Sequence, residues 1–347
     1  MLSYKMKNAQ LTKQKTEQKT RAYFVDVLAS FLASPKFTRH ELNEYVLPAV
    51  HAESTAAAQS ASTHALEHAH ALAFRNGLGH SLYADTHATA SITPEDVRAL
   101  HAHAVGNPSD VAVLGTGIST ESLAKLLESS YSSHKKTTTT TETHTTPAME
   151  TAYHGGATRI ASSGQQALFI GFGSTASTSI PALHALNAHL NPTPSLKWCS
   201  STSPLASSIP STISAQSILL PYSDASLIGV MLAGTDASAL KEAAKAVVQA
   251  FKDVAQGKGV GNEELGRATA RAKFQLAAAL EGREGFVGAF GPKVLKGEKA
   301  SVQAALEGVQ GVSSTSLSQV RAPAPAHNAS LMHLPNTDVM YVFVGCS

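Results

Sequence analysis

A polar tract rich in threonine divides the sequence into two halves. It runs from Ser129 to Thr146, contains five consecutive threonines at 137–141, and offers no apolar face that could pack against a core. One hydrophobic core cannot continue through such a tract, so we expect two folded halves joined by a flexible linker. The predicted segments are a first domain at 1–128, a linker at 129–150, a second domain at 151–325 and a C-terminal tail at 326–347.

The apolar pattern predicts helices and short strands in both halves. In the first half, Val25, Leu28, Ala29 and Leu32 recur at helical spacing and give a helix at 21–33 one apolar face. The other predicted elements of this half are helices at 38–48, 62–76, 93–107 and around 123–127, and a buried strand at 111–114. Those of the second half are strands at 167–170 and 226–232 and helices at 182–190, 236–254 and 265–279. This order indicates two related α+β halves.

Local signals mark several helix ends. Thr38 and Glu41 have the spacing of a capping box, and Pro48 is expected to break or kink the helix that follows. Thr93 is a predicted N-cap with Pro94 at the first helical position. Asp236 is a candidate cap for a helix in which Leu240, Ala244, Val247, Phe251 and Val254 share one face.

Composition excludes several classes of protein. The 347 residues carry a net charge of only +2, and 15% are charged, so there is no basic surface typical of nucleic-acid binding. The two cysteines, Cys199 and Cys346, form neither a disulfide framework nor a Cys-x-x-Cys motif for haem or an iron–sulfur cluster. So few cysteines are compatible with a protein of a reducing compartment such as the cytosol or the mitochondrial matrix. No apolar run reaches the length needed to span a bilayer.

The first 21 residues are basic. They contain six lysines or arginines against the single acidic residue Glu17. Such a bias is typical of a mitochondrial transit peptide, but it also fits a solvated strand or loop. We favour the solvated segment, because a patterned helix follows at once.

His64-x-x-Glu67-His68 has the spacing of an inverted zinc-peptidase motif. On a helix, residues four apart project from the same side, so two imidazoles could hold one ion while Glu67 acted as a base. A third ligand is required, and Glu142 lies at a suitable distance along the chain.

Three observations argue against a zinc site. Glu142 lies in the threonine tract, which cannot hold a ligand in place, and Arg75 would fall on the same helix face as His68. The opposite side carries Leu66, Ala69 and Ala73, so the motif is expected on a solvent-facing stripe. We therefore predict no metal, no cofactor and no catalytic residue in this chain.

The glycines of Gly171-Phe172-Gly173-Ser174-Thr175-Ala176 fit a dinucleotide-binding fingerprint. That fingerprint also needs an acidic residue about 20 positions later, yet no Asp or Glu occurs between Glu150 and Asp224. We interpret the segment as a tight strand-to-helix turn. Gly115-Thr116-Gly117 is interpreted in the same way, and the lone Trp198 as a packing residue.

Several motifs, in one order and spacing, resemble the M16 metallopeptidase family. The resemblance extends over about residues 21–325. In the first half it rests on Phe74-Arg75-Asn76-Gly77-Leu78-Gly79, Thr93-Pro94-Glu95-Asp96 and Leu114-Gly115-Thr116-Gly117. In the second half it rests on Tyr153-His154-Gly155-Gly156, Leu196-Lys197-Trp198, Ser203-Pro204-Leu205, Pro221-Tyr222-Ser223-Asp224 and Ala270-Arg271-Ala272-Lys273.

The resemblance implies a fold and a role. The fold would be two related domains, each a mostly antiparallel sheet packed with helices. The motifs are most similar to the branch of this family that has become non-catalytic, as core subunits of the mitochondrial ubiquinol–cytochrome c reductase. The implied partners are the second core protein, cytochrome b, cytochrome c1 and the Rieske subunit of a dimeric complex, on the matrix side of the inner membrane.

The resemblance also bears on the histidine motif. In the family, the zinc-binding helix lies upstream of the helix that matches Thr38–Glu53, so we expect it to precede residue 1 and His64 to stand on a different helix. Two alternatives remain. One is a substrate-recognition subunit of the mitochondrial processing peptidase, for which Gly257–Gly261 would be a short version of the glycine-rich loop. The other is an active zinc peptidase that uses His64, Glu67 and His68.

Overall fold

Helices outnumber strands in the part of the chain that the structure describes. The computed structural model describes residues 19–105, 111–134, 151–161, 164–175, 180–194, 201, 203–258, 261–298, 301–318, 320 and 340–345. The helices of the first half are α1 (19–33), α2 (Arg39–Glu41), α3 (Leu47–Gln59), α4 (Ala61–Phe74), α5 (Thr86–Thr89), α6 (Pro94–Val105) and α7 (Thr120–His134). Those of the second half are α8 (Ile180–Leu190), α9 (Ala237–Ala255), α10 (Asn262–Glu281), α11 (Arg283–Leu295), α12 (Val302–Gln310) and α13 (Ser314–Ser318).

A five-stranded, mostly antiparallel sheet lies at the centre of the second half. Its strands are β1 (Ala157–Ala161), β2 (Gln166–Ser174), β3 (Ser214–Pro221), β4 (Ser226–Gly234) and β5 (Met340–Gly345). The spatial order is β1-β5-β2-β4-β3, in which only the β1–β5 pair is parallel. The predicted α+β class is thereby confirmed.

The two central strands are buried on both faces. Along β2, every residue but the last is buried, which explains its continuous run of apolar and small residues. Phe172 packs edge-to-face on Phe251 of α9, whereas the neighbouring Gly173 faces Phe74 of α4. Because successive residues of a strand point to opposite faces, α9 and α4 cover opposite sides of the sheet.

The described residues fall into two compact units. One takes its residues from 1–47, 91–147 and 294–297, and the other from 48–90, 148–293 and 298–347. Helix α4 thus belongs to the unit that contains the sheet, although it comes from the first half of the sequence. The four predicted segments stay a prediction, since these units follow spatial contacts rather than chain order.

Most predicted helices are confirmed, with shifts at their ends. Helix α6 begins at Pro94, and the Thr93 amide and hydroxyl donate to Asp96 Oδ2 at 2.9 and 2.7 Å. Asp236 caps α9, whose Leu240, Val247, Phe251 and Val254 are buried as predicted. Helix α7 continues through residues 129–134, the start of the predicted linker, and the rest of that linker up to residue 150 lies outside the described residues.

Three predictions about the first half were wrong. Residues 111–114 form no strand, because their partly exposed backbone has no neighbouring strand to pair with among the described residues. Leu28 of α1 is 62% exposed, and only Ala29 of the predicted face is fully buried. The helix break considered at Pro48 does not occur, since α3 contains this proline and runs to Gln59; the regular α-helical pattern changes just before it, in a π-helical turn at Leu42–Val46.

Candidate functional site

The two histidines of the motif lie side by side on α4. Their Nε2 atoms are 3.0 Å apart, so one ring donates its hydrogen to the other. Both side chains are half-buried, rather than solvent-facing as predicted. Burial and the neighbouring His64 lower the pKa of His68, while Glu67 opposes that shift. Burial therefore favours the neutral form of His68.

Glu67 holds a loop instead of facing the histidines. Its Oε2 accepts hydrogen bonds from the Ser81 hydroxyl and from the Leu82 amide, the latter at 3.1 Å. These bonds tie the chain that follows α4 back to the helix. A carboxylate oxygen that accepts two such bonds is fixed in place and is not free to accept a proton from water.

No third ligand accompanies the pair in the part of the chain that the structure describes. Within those ranges, no group of three or more His, Cys, Asp and Glu side chains is placed to hold a metal ion. The third ligand considered from the sequence, Glu142, lies outside the described residues.

Arg75 does not lie on the helix face of His68, contrary to the sequence prediction. Helix α4 ends at Phe74, and Arg75 follows with φ of 58° and ψ of −63°. The Asn76 amide donates to the Phe74 carbonyl at 2.6 Å, which closes a γ-turn around Arg75. The turn carries the exposed arginine away from the motif. The buried face of the helix is formed by alanines four residues apart, which include the predicted Ala69 and Ala73.

A further histidine of α4, which the sequence did not single out, links this helix to the sheet. His70 Nδ1 lies 2.8 Å from the Leu66 carbonyl, and its Nε2 lies 2.5 Å from the Tyr222 hydroxyl. Since a carbonyl only accepts, Nδ1 carries the hydrogen and Nε2 accepts from the tyrosine. Burial, reinforced by Glu67, raises the pKa of Tyr222 and keeps the hydroxyl protonated.

The glycine fingerprint lies inside a strand, so the predicted turn at 171–176 was wrong. Gly171 and Gly173 belong to β2, and Gly171 pairs with Gly229 of β4. A Cβ on Gly229 would meet the Phe169 ring at 2.4 Å, and one on Gly173 would meet the Tyr153 ring at 2.6 Å. The glycines make room for aromatic rings, and they belong to a central antiparallel strand rather than to a phosphate-binding turn.

A small polar cleft of about 100 Å³ lies between α8 and α10. His189, Glu264, Arg267 and Arg271 line it with Ser203. Arg271 Nη1 donates to the Asn191 carbonyl at 3.0 Å, and Nη2 donates to the Thr193 carbonyl. The guanidinium therefore fastens α10 to the chain that leaves α8, which is a structural use of its charge.

The fold and the comparisons with known proteins define a class. The model of the insulinase family, peptidase family M16, matches residues 6–86. A chain of the structure "Complex III2 from Candida albicans, Inz-5 bound" superposes with a TM-score of 0.70 at 15% identity, over 94% of this chain and 76% of that one. The chain therefore has the α+β fold of an M16-type protein.

Curated relatives narrow the class to one family. The cytochrome b-c1 complex subunit 2, mitochondrial, of Cryptococcus neoformans var. grubii is 37% identical over 92% of this chain and 71% of its own length. The protein of the same name from Yarrowia lipolytica is 32% identical over 88% of this chain and 70% of its own. The chain belongs to the family of cytochrome b-c1 complex subunit 2.

Proposed function

We propose that this chain is a non-catalytic core subunit of mitochondrial complex III. The observation that carries the proposal is the 37% identity to a cytochrome b-c1 complex subunit 2 over 92% of the chain. Its role would be to support assembly, with the second core protein, cytochrome b, cytochrome c1 and the Rieske subunit as partners. All redox groups would be carried by those partners.

The state of the histidine motif supports a non-catalytic role. An M16-type peptidase needs two histidines, a further ligand and a free glutamate base. Here the Glu67 carboxylate accepts from Ser81 and Leu82, and the described residues supply no third ligand. The relatives named above give no support to a processing-peptidase subunit or to an active peptidase.

The proposal includes a location and a domain division. Among the described residues, no helix is both long and apolar enough to cross a membrane. We place the chain at the matrix side of the inner membrane, held there by its membrane-embedded partners. The two M16-like domains would be joined by the segment at 129–150.

Native electrophoresis of mitochondria tests the assembly role. An epitope-tagged full chain, expressed in a fungal strain that lacks its own subunit 2, should co-migrate with cytochrome b and restore ubiquinol–cytochrome c reductase activity. Migration with a processing-peptidase partner, away from cytochrome b, would contradict the proposal.

A peptidase assay provides a second test of the same proposal. Cleavage of a presequence peptide by the purified chain should not exceed the cleavage by its Glu67→Gln variant. A loss of measurable peptidase activity on that substitution would support the active-peptidase alternative instead.

A further inference from the structure

We infer that His64 and His68 form an exchangeable, non-catalytic chelating pair for a late first-row divalent cation. The inference does not rest on the proposed function. Both imidazoles stand on one face of α4, one turn apart, with their Nε2 atoms 3.0 Å from each other. A helix fixes this spacing through its backbone, so the two donors approach one another without any rearrangement of the chain.

The distance between the two nitrogens indicates which cation fits. If the two nitrogens keep their 3.0 Å separation on binding, metal–nitrogen bonds of about 2.05 Å give an angle of about 94° at the metal. An angle near 90° is the angle between two neighbouring (cis) ligands of a tetragonal or octahedral metal ion. It is narrower than the angle between two ligands of a tetrahedral zinc site. The pair therefore suits Cu²⁺ and Ni²⁺ better than Zn²⁺.

The protons of the pair can be accounted for. In the structure one Nε2 carries a hydrogen and donates it to the lone pair of the other, so neither nitrogen has a free lone pair in this state. Cation binding needs both lone pairs, and the hydrogen of the donor ring then moves to its own Nδ1 without a net release of protons. His70 on the same helix already has that tautomer, with Nδ1 donating to the carbonyl four residues earlier.

The surroundings favour a bound positive charge. The carboxylate of Glu67 lies on the same turn of helix as His68 and is an anion that stabilises positive charge there. No third protein donor is placed with the pair in the described ranges, so water would complete the coordination and the ion would exchange readily.

Calorimetric titration of the untagged full chain with Ni²⁺ at pH 7.5 tests the inference. We expect one site that loses affinity by about tenfold or more in either His64→Ala or His68→Ala, because each variant removes one arm of the chelate. His103→Ala is the matched control, since His103 is an exposed helical histidine with no histidine four residues away on either side. It should leave the titration unchanged.

Several outcomes would overturn the inference. They are Ni²⁺ binding that survives in both alanine variants, an equal loss in His103→Ala, and no binding by the unmodified chain. Affinity should rank Cu²⁺ above Ni²⁺ and Zn²⁺, and tightest binding of Zn²⁺ would contradict the derived geometry. Circular dichroism checks that each variant is folded, and if one variant does not fold the other decides.

Discussion

Gly229 faces Gly171 across the β2–β4 ladder, and neither position has room for a side chain. A Cβ on Gly229 would lie 2.4 Å from the Phe169 ring and 2.6 Å from the Ile170 carbonyl oxygen. We expect Gly229→Ala to destabilise the chain by about 2–3 kcal/mol, because a fully buried ring and a central strand would both have to shift. The urea midpoint of unfolding measures this change.

Gly266 supplies the control for that substitution. It lies within α10, and a Cβ added there would meet no described atom within 4 Å other than the backbone of its own helix. Gly266→Ala should stabilise by about 0.5–1 kcal/mol, through reduced backbone freedom in the unfolded chain. Similar losses in both variants would show that steric contact at Gly229 is not the cause.

Arg75 adopts a backbone conformation that favours glycine. Its φ of 58° in a γ-turn is strained for a residue with a Cβ, and its side chain is exposed. Arg75→Gly should therefore stabilise the chain by about 1 kcal/mol in thermal or urea unfolding. Asn76→Gly is the control, because Asn76 has φ of −104° and should gain nothing. Loss of stability in Arg75→Gly would mean that the arginine side chain contributes more than the strain costs.

Helix α6 illustrates a cap whose effect depends on pH. The hydrogen bonds from Thr93 lower the pKa of Asp96 below its ordinary value of 3.8. The Asp96 carboxylate is therefore protonated more readily in the unfolded chain than in the folded one. The stabilisation from the cap is present above pH 3.8 and is lost as pH falls through the lower pKa that Asp96 has in the folded chain. Asp96→Asn should flatten the dependence of stability on pH below 3.8, as followed by circular dichroism. An unchanged acid transition would contradict this role.

Elements defined by short-range signals could be predicted from the sequence, whereas those defined by pairing could not. The Thr93 cap and the apolar face of α9 each depend on residues a few positions apart, so their patterns are readable. Strand β1 carries no such signal and becomes a strand beside β5. Strand β5 does carry one, the β-branched and aromatic run at 341–344, but its place between β1 and β2 could not be predicted from that run. The apolar run at 111–114 shows the converse, since apolar residues without a partner form no ladder.

The candidate site was predictable in its helix but not in its contacts. The four-residue spacing of His64 and His68 predicted that their imidazole rings lie on one face of the helix. The prediction was right because residues four apart in an α-helix are about one turn apart. The bonds from Ser81 and Leu82 to Glu67, and from Tyr222 to His70, join residues far apart in sequence. Only the tertiary fold brings those groups together, and single positions such as Tyr222 offered no periodic pattern to interpret.

Across the chain, buried neutral histidines should make stability fall in mild acid. Burial lowers the pKa of His68, His184 and His189 below the ordinary 6.5. The unfolded chain therefore binds protons first as pH drops below 6.5, and stability declines until pH passes the folded-state values. The urea midpoint should be lower at about pH 5.5 than at about pH 7.5.

His184→Gln should make that decline smaller, because burial is the cause of its shift in pKa. His103→Gln, the same substitution at an exposed position, is the matched control. A pH dependence that is identical in the unmodified chain and His184→Gln would contradict this assignment. Circular dichroism at neutral pH would confirm that each variant starts from the same folded state.

Strand β5 has a consequence for the order of events in folding. It lies between β1 and β2, and pairs Val344 with Ala167, so the sheet joins residues from distant parts of the sequence. During synthesis, β1 and β2 are both complete before β5, so they lack their common neighbour for most of that time. The backbone N–H and C=O groups at their edges remain unpaired during that interval and are open to pairing with other strands.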